Sequence, residues 1–154
     1  MIQRVQSVFL LLIAACMGAT AFVESWEEAA NGKLVELSAL KMTAMQGGAE
    51  MSSRNVWYIA ALALVAAAVA LYSLASYRNR TLQTGLGAIN ALVMASVLGL
   101  IVYFSREAET VIPNHEGVFK LGTYLPMAAL TFNILANRFI RRDEKLVRSA
   151  DRMR

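Results

Sequence analysis

Four long apolar stretches constrain this chain more than any other feature. They are Val5–Val23, Val56–Tyr77, Leu82–Phe104 and Leu121–Phe139, each 19 to 23 residues long, and together they fill more than half of the 154 residues. Their one charge is Arg138, at the end of the last stretch, where a long side chain reaches the lipid headgroups. A helix needs about 20 apolar residues to cross the hydrocarbon core of a bilayer. A buried soluble core accounts for one such run but not for four. Charged residues make up only 17% of the chain, against about 25% in soluble domains. The expectation is an all-α membrane protein, a single domain over residues 1–154 with four transmembrane helices in an antiparallel bundle.

Charge sets the orientation. The N-terminus, the turn at Arg78–Arg80 and the tail after Phe139 (with Arg138) hold ten bases and three acids, while residues 24–55 and 105–120 hold five bases and eight acids. Lys and Arg near span ends are retained on the cytoplasmic side. Both termini and the 78–80 turn are therefore expected in the cytoplasm of a bacterial inner membrane, with 24–55 and 105–120 outside. The tetrapeptide Ile13-Ala14-Ala15-Cys16 is similar to the signal before a lipidated cysteine. The apolar run continues to Val23, however, which favours an uncleaved helix.

Between helices in lipid, small residues and interhelical hydrogen bonds replace the hydrophobic drive. Gly87, Ala91, Ala95 and Gly99 recur every four residues as a packing stripe on the third span. Gln83, Thr84, Asn90, Asn133 and Asn137, with Ser96 and Thr131, are the polar residues of the third and fourth spans. Their depths pair Asn90 with Asn133, and Gln83 and Thr84 with Asn137, as polar contacts between the two helices. Asn31-Gly32 reads as a helix stop after ESWEEAA. The following KLVELSALKMTAM mixes helical and strand periods, so that an outer hairpin and an interfacial helix fit equally. Trp26, Trp57, Tyr58 and Tyr103 fall near span ends, as in an aromatic belt.

Chemistry is sparse. No ionisable residue lies inside a span away from its ends, where transporters and pumps place them. The single Cys16 makes neither an internal disulfide nor a zinc site. His115 with Glu109 and Glu116 reads as an ordinary loop. Without a phosphate loop, a catalytic triad or a redox pair, the chain is expected to be no enzyme and to bind no cofactor or metal. Its most informative segment is the basic amphipathic tail. There Arg141, Arg142, Asp143, Glu144, Lys145, Leu146, Val147 and Arg148 are the residues that would meet anionic lipid or a protein partner. The interspersed acids argue against nucleic acid.

The stretches MIQRVQSVFLLLIAA, LGTYLPMAAL (residues 121–130) and RRDEKLVRSADRMR (141–154) resemble a family of uncharacterised four-helix bacterial membrane proteins, a domain-of-unknown-function family. The resemblance implies four spans, both ends cytoplasmic, no catalytic residues and no cofactor. The function expected is that of a small accessory or assembly subunit of a larger inner-membrane complex, partnered by other membrane proteins. The alternative is a transporter or channel for a small neutral or lipid-like solute.

Overall fold

The structure is a computed structural model that describes residues 2–76, 79–112, 115 and 117–151. In order come α1 (Ile2–Thr20), β1 (Glu24–Ala30), β2 (Lys33–Ser38), β3 (Lys41–Gln46), β4 (Ala49–Asn55), α2 (Tyr58–Ala75), α3 (Arg80–Ala108), a 3₁₀ turn at Glu109–Val111, β5 (Val118–Phe119) and α4 (Leu121–Asp151). The five strands form one antiparallel sheet in the order β4-β3-β2-β1-β5.

This sheet overturns the all-α expectation and, with it, the four-helix bundle. Its cause is turn chemistry. Asn31 and Gly32 both have positive φ, as do Gly47 and Gly48. The flanking pairs Ala30–Lys33 and Gln46–Ala49 are opposed across them. Two residues with φ > 0 match the right-handed twist of a hairpin, so Asn31-Gly32 closes a hairpin and ends no helix. Alternation then sorts the side chains. Trp26 and Glu28 of β1 and Val35 and Leu37 of β2 share one buried face, opposed there by Ala44 and Met42 of β3, Thr43 is buried on the other face, and β4, at the edge, is exposed along its whole length.

Of the four apolar runs, two form helices long and apolar enough to cross a membrane, Tyr58–Ala75 and Thr81–Val111. The apolar part of α1, Val5–Thr20, is shorter. In α4, Pro126, Asn133, Asn137 and the charged tail dilute the apolar content. The α1 helix packs on α2 and α4, and α3 also packs on α2 and α4. Phe9 stacks on Phe139 with ring centroids 5.7 Å apart, which brings the start of α1 to the later turns of α4.

The sheet sits on the opposite ends of these helices. Val56 N–H donates to the Leu40 carbonyl at 2.9 Å and Ala60 N–H to the Ala39 carbonyl at 3.1 Å. The Ser25 carbonyl accepts from Lys120 N–H at 2.8 Å and from the Thr123 hydroxyl at 2.6 Å. Arg54 of β4 pairs with Glu107 of α3, and its guanidinium lies 5.2 Å from the centre of the Phe104 ring. Trp26 is fully buried in the shared core and belongs to no interfacial belt, whereas Trp57 and Tyr103 are exposed.

Gly117, before α4, and Gly122, in its first turn, let the chain close over β1. A Cβ on Gly117 would lie inside the Trp26 ring, and one on Gly122 would sit 2.6 Å from the Glu24 carbonyl oxygen. Gly117→Ala is therefore expected to destabilise the protein by about 1–3 kcal/mol, the usual cost of overpacking, read as a lowered thermal midpoint in detergent. Gly99→Ala, which meets only open space, should leave that midpoint nearly unchanged.

Candidate functional site

A layer of amide side chains lies between the helices, at the end remote from the sheet. Gln6 of α1 donates from Nε2 to Gln83 Oε1 of α3 at 2.7 Å. Gln83 in turn donates to the Ser73 carbonyl of α2 at 2.8 Å. Asn133 of α4 donates from Nδ2 to the Gly87 carbonyl of α3 at 2.9 Å. All four helices are thus joined through α3 by three hydrogen bonds from amides. Asn137 packs over Gly87, where a Cβ would overlap its amide group. Asn90 is also buried.

The geometry amends the expected pairings. Asn133 meets the Gly87 backbone rather than Asn90, and Gln83 reaches α1 and α2 rather than Asn137. The α3–α4 contact is centred on Gly87, straddled by two asparagines one turn apart. Thr84 is half-buried beside this layer. Ser96 and Thr131 donate to the Leu92 and Met127 carbonyls of their own helices and join nothing across. The small-residue stripe also fails as one face, because Gly87 is buried but Ala95 and Gly99 are exposed. At about 100° per residue, a four-residue repeat drifts about 40° each step. The buried face of α3 instead follows Gln83, Gly87, Asn90, Met94, Val97 and Ile101, in alternating steps of four and three.

Sequence reasoning missed two members of this layer, Gln6 and Ser73. The signal for Gln6 was one amide just inside the start of an apolar run; the Ser73 contact is made by its backbone and left no signal. Among the described residues the layer holds hydrogen-bonding groups and no ionisable side chain. The Oδ1 atoms of Asn90 and Asn137 and the Ser73 hydroxyl are buried without a protein partner.

A second polar cluster lies in the sheet. Both carboxylate oxygens of Glu28 are buried without a partner. Burial, and secondarily the charge of Glu109, push its carboxyl above the usual range, partly offset by His115. Its period-two spacing from Trp26 was the signal that could have placed it inward. His115 lies 3.4 Å from the Asn31 amide, and Glu109 pairs with Arg106 at 3.1 Å; Glu116 lies outside the described residues. On the other face of β1, carboxylate oxygens of Glu24, Glu27 and Glu36 gather within 4.8 Å of one another. Lys120 meets Glu27 there at 2.8 Å. Its ammonium is held above the usual lysine range by that hydrogen bond and the Glu27 charge, with Glu24 and Glu36 adding. This lysine supplies the trio with a counter-charge.

The tail runs on as the end of α4 to Asp151, with Arg141 and Arg142 exposed. The Arg78 position and the side chains of Asp143, Glu144, Lys145, Leu146, Val147 and Arg148 lie outside the described residues.

Two outcomes follow. Asn133→Ala removes the donor to Gly87 and is expected to cost about 0.6 kcal/mol, and at most ~1.7, in a denaturation series. Glu28 has a raised carboxyl in the folded state, so it stabilises that state less as pH climbs from the unfolded value through the folded one. Glu28→Gln should therefore melt higher than the parent at neutral pH, with the difference shrinking toward pH 4 in paired melts.

No curated protein matches this chain. Over residues 2–153 it matches the family described as a domain of unknown function, DUF4293, and with nearly its whole length covered the chain belongs to that family.

Proposed function

We propose that this is a multi-pass protein of the bacterial inner membrane, acting without catalysis as an accessory or assembly subunit of a larger complex. The observation that carries the membrane reading is an inversion of polarity. Gln6, Gln83, Asn90 and Asn133 are buried between the helices. Outward on all four helices point large apolar side chains, among them Val8, Leu11, Leu64, Tyr72, Leu92, Tyr124 and Ile134. Water would penalise so much exposed apolar surface; lipid does not. The turn between α2 and α3 lies at the same end as the start of α1, through the Gln6–Gln83 bond. The basic end of α4 lies there too, through the Phe9–Phe139 stack. Positive charge is retained inside, which supports a cytoplasmic position for this end and an outer one for the sheet.

The subunit reading draws on the same geometry. The polar layer is joined by direct hydrogen bonds and, among the described residues, shows no charged step for moving an ion. The outer sheet and the basic inner end offer surfaces on both sides of the membrane. The rival reading, passage of a small neutral solute, draws on the unpartnered oxygens of Asn90 and Asn137.

In a Cys16→Ala background, Ser53→Cys is expected to react with a membrane-impermeant maleimide from outside, and Thr81→Cys only after permeabilisation. The reverse pattern would refute the orientation. Gentle purification should retain a stoichiometric protein partner, and deleting residues 143–154 should weaken that retention without loss from the membrane. Saturable flux in proteoliposomes of the protein alone would favour the rival.

A further inference from the structure

At the inner end of α4 an open groove of about 710 Å³ is lined, among the described residues, by Ile134, Asn137, Arg138, Arg141 and Arg142. The volume suits a small ligand or one molecular headgroup. None of the three arginines pairs with a carboxylate among the described residues, so three guanidinium charges face one cleft without a described counter-ion. We propose that this groove binds the phosphate headgroup of an anionic phospholipid of the inner leaflet. The proposal rests on the membrane reading above and adds a specific lipid site to it.

Three features select that ligand. First, the lining grades along the helix. Ile134 is 68% exposed and apolar, Asn137 is one turn on, and Arg138, Arg141 and Arg142 follow within about 12 Å, at 1.5 Å per residue. An acyl chain, a glycerol backbone and a phosphate fall in the same order over a similar depth. Second, arginine rather than lysine occupies every basic position. The guanidinium fork meets phosphate oxygens two at a time, whereas a general electrostatic anchor works equally well with lysine. Third, Asn137 packs on Gly87, so the groove borders the α3–α4 seam. The α3 helix starts at Arg80, two turns before Gly87, and its N-terminal end adds positive potential on that side. A free phosphate ion matches the arginines but leaves Ile134 uncovered, and an acidic peptide matches the charge but not the apolar upper wall.

The test uses the full chain, purified in a neutral detergent and titrated with phosphatidylglycerol, phosphatidylcholine or inorganic phosphate, with thermal midpoint and lipid retained in native mass spectrometry as readouts. Phosphatidylglycerol is expected to raise the midpoint and remain bound; phosphatidylcholine and phosphate are not. Each arginine changed to glutamine should weaken retention about fivefold, the equivalent of one surface base on anionic lipid. Arg141→Gln/Arg142→Gln alters two exposed positions and keeps the fold, so its loss of the shift reports on the site. A triple change of Arg138, Arg141 and Arg142 to lysine should lose much of the retention despite its unchanged charge. Equal shifts with both lipids, a shift surviving in the double glutamine variant, or full retention by the lysine variant would each overturn the proposal. So would an equal response to inorganic phosphate, which would assign the groove to the free ion. Extraction of the same membranes at alkaline pH separates the two readings: protein that stays in the membrane but shows no lipid preference sinks the groove alone, and protein released by alkali sinks the membrane reading.

Discussion

The Ser25 carbonyl joins the two halves of this protein. It receives one hydrogen bond from the Lys120 backbone and another from the Thr123 hydroxyl, and both donors stand at the start of α4, far along the chain. Through that atom the sheet is fixed to the helices, β5 is aligned against β1, and the Trp26 ring is trapped under Gly117. A buried carbonyl left unpaired costs about 1–3 kcal/mol, so the junction is held against the loss of either donor as well as by its own bonds. The Arg54–Glu107 pair and the Val56 and Ala60 amides complete the seat on the other side.

Within the helices a different rule governs. On the proposed membrane reading, apolar side chains gain little by leaving lipid for a helix interface, so the contacts that choose one arrangement over another are the polar ones. Gln83 specifies both α1 and α2, and Gly87 specifies α4. An amide can donate and accept at once, which lets a single residue on α3 tie two neighbours. The absence of charge from this layer among the described residues keeps the energetic stakes modest. An unpaired amide is tolerable where an unpaired carboxylate would not be, and Glu28, whose two carboxylate oxygens both lack a partner among the described residues, stands in the sheet rather than in this layer.

How much of this was legible in the residues varies by element. The long apolar runs of α2 and α3 were plain, because composition alone decides them. The α3–α4 contact was visible as two polar faces, but its partner was backbone, and a carbonyl leaves no mark on a sequence. The sheet was the main loss. Its inner face carries Glu28 among Trp26, Val35, Leu37, Met42 and Ala44, and its other face carries buried Thr43 beside Glu27 and Glu36, so period two was blurred in both directions. Buried Ser25 beside Trp26, at a register shift in β1, broke the alternation further. Asn31-Gly32 and Gly47-Gly48 held the answer, since paired left-handed residues at two-residue spacing are hairpin turns. The Gln6–Gln83 bond, between residues 77 positions apart, depends on tertiary geometry that no local pattern encodes.

The order of the sheet also bears on how the protein is made. Strands β1 to β4 are contiguous and pair through tight turns, so they form as soon as they emerge during synthesis. Strand β5, which covers the remaining edge of β1, follows only after α2 and α3 have been synthesised. At about 5–20 residues per second, the free edge of β1 and the unsheltered Trp26 wait on the order of ten seconds for their cover. The opposite edge, β4, has a local register shift against β3 and carries Glu50 and Arg54, features that discourage pairing with another chain. The sheet is thus protected from the outset on the side that stays open, and left bare for a time on the side that closes. The arrival of α4 completes assembly, and the nascent sheet is most vulnerable to strand exchange and proteolysis just before it.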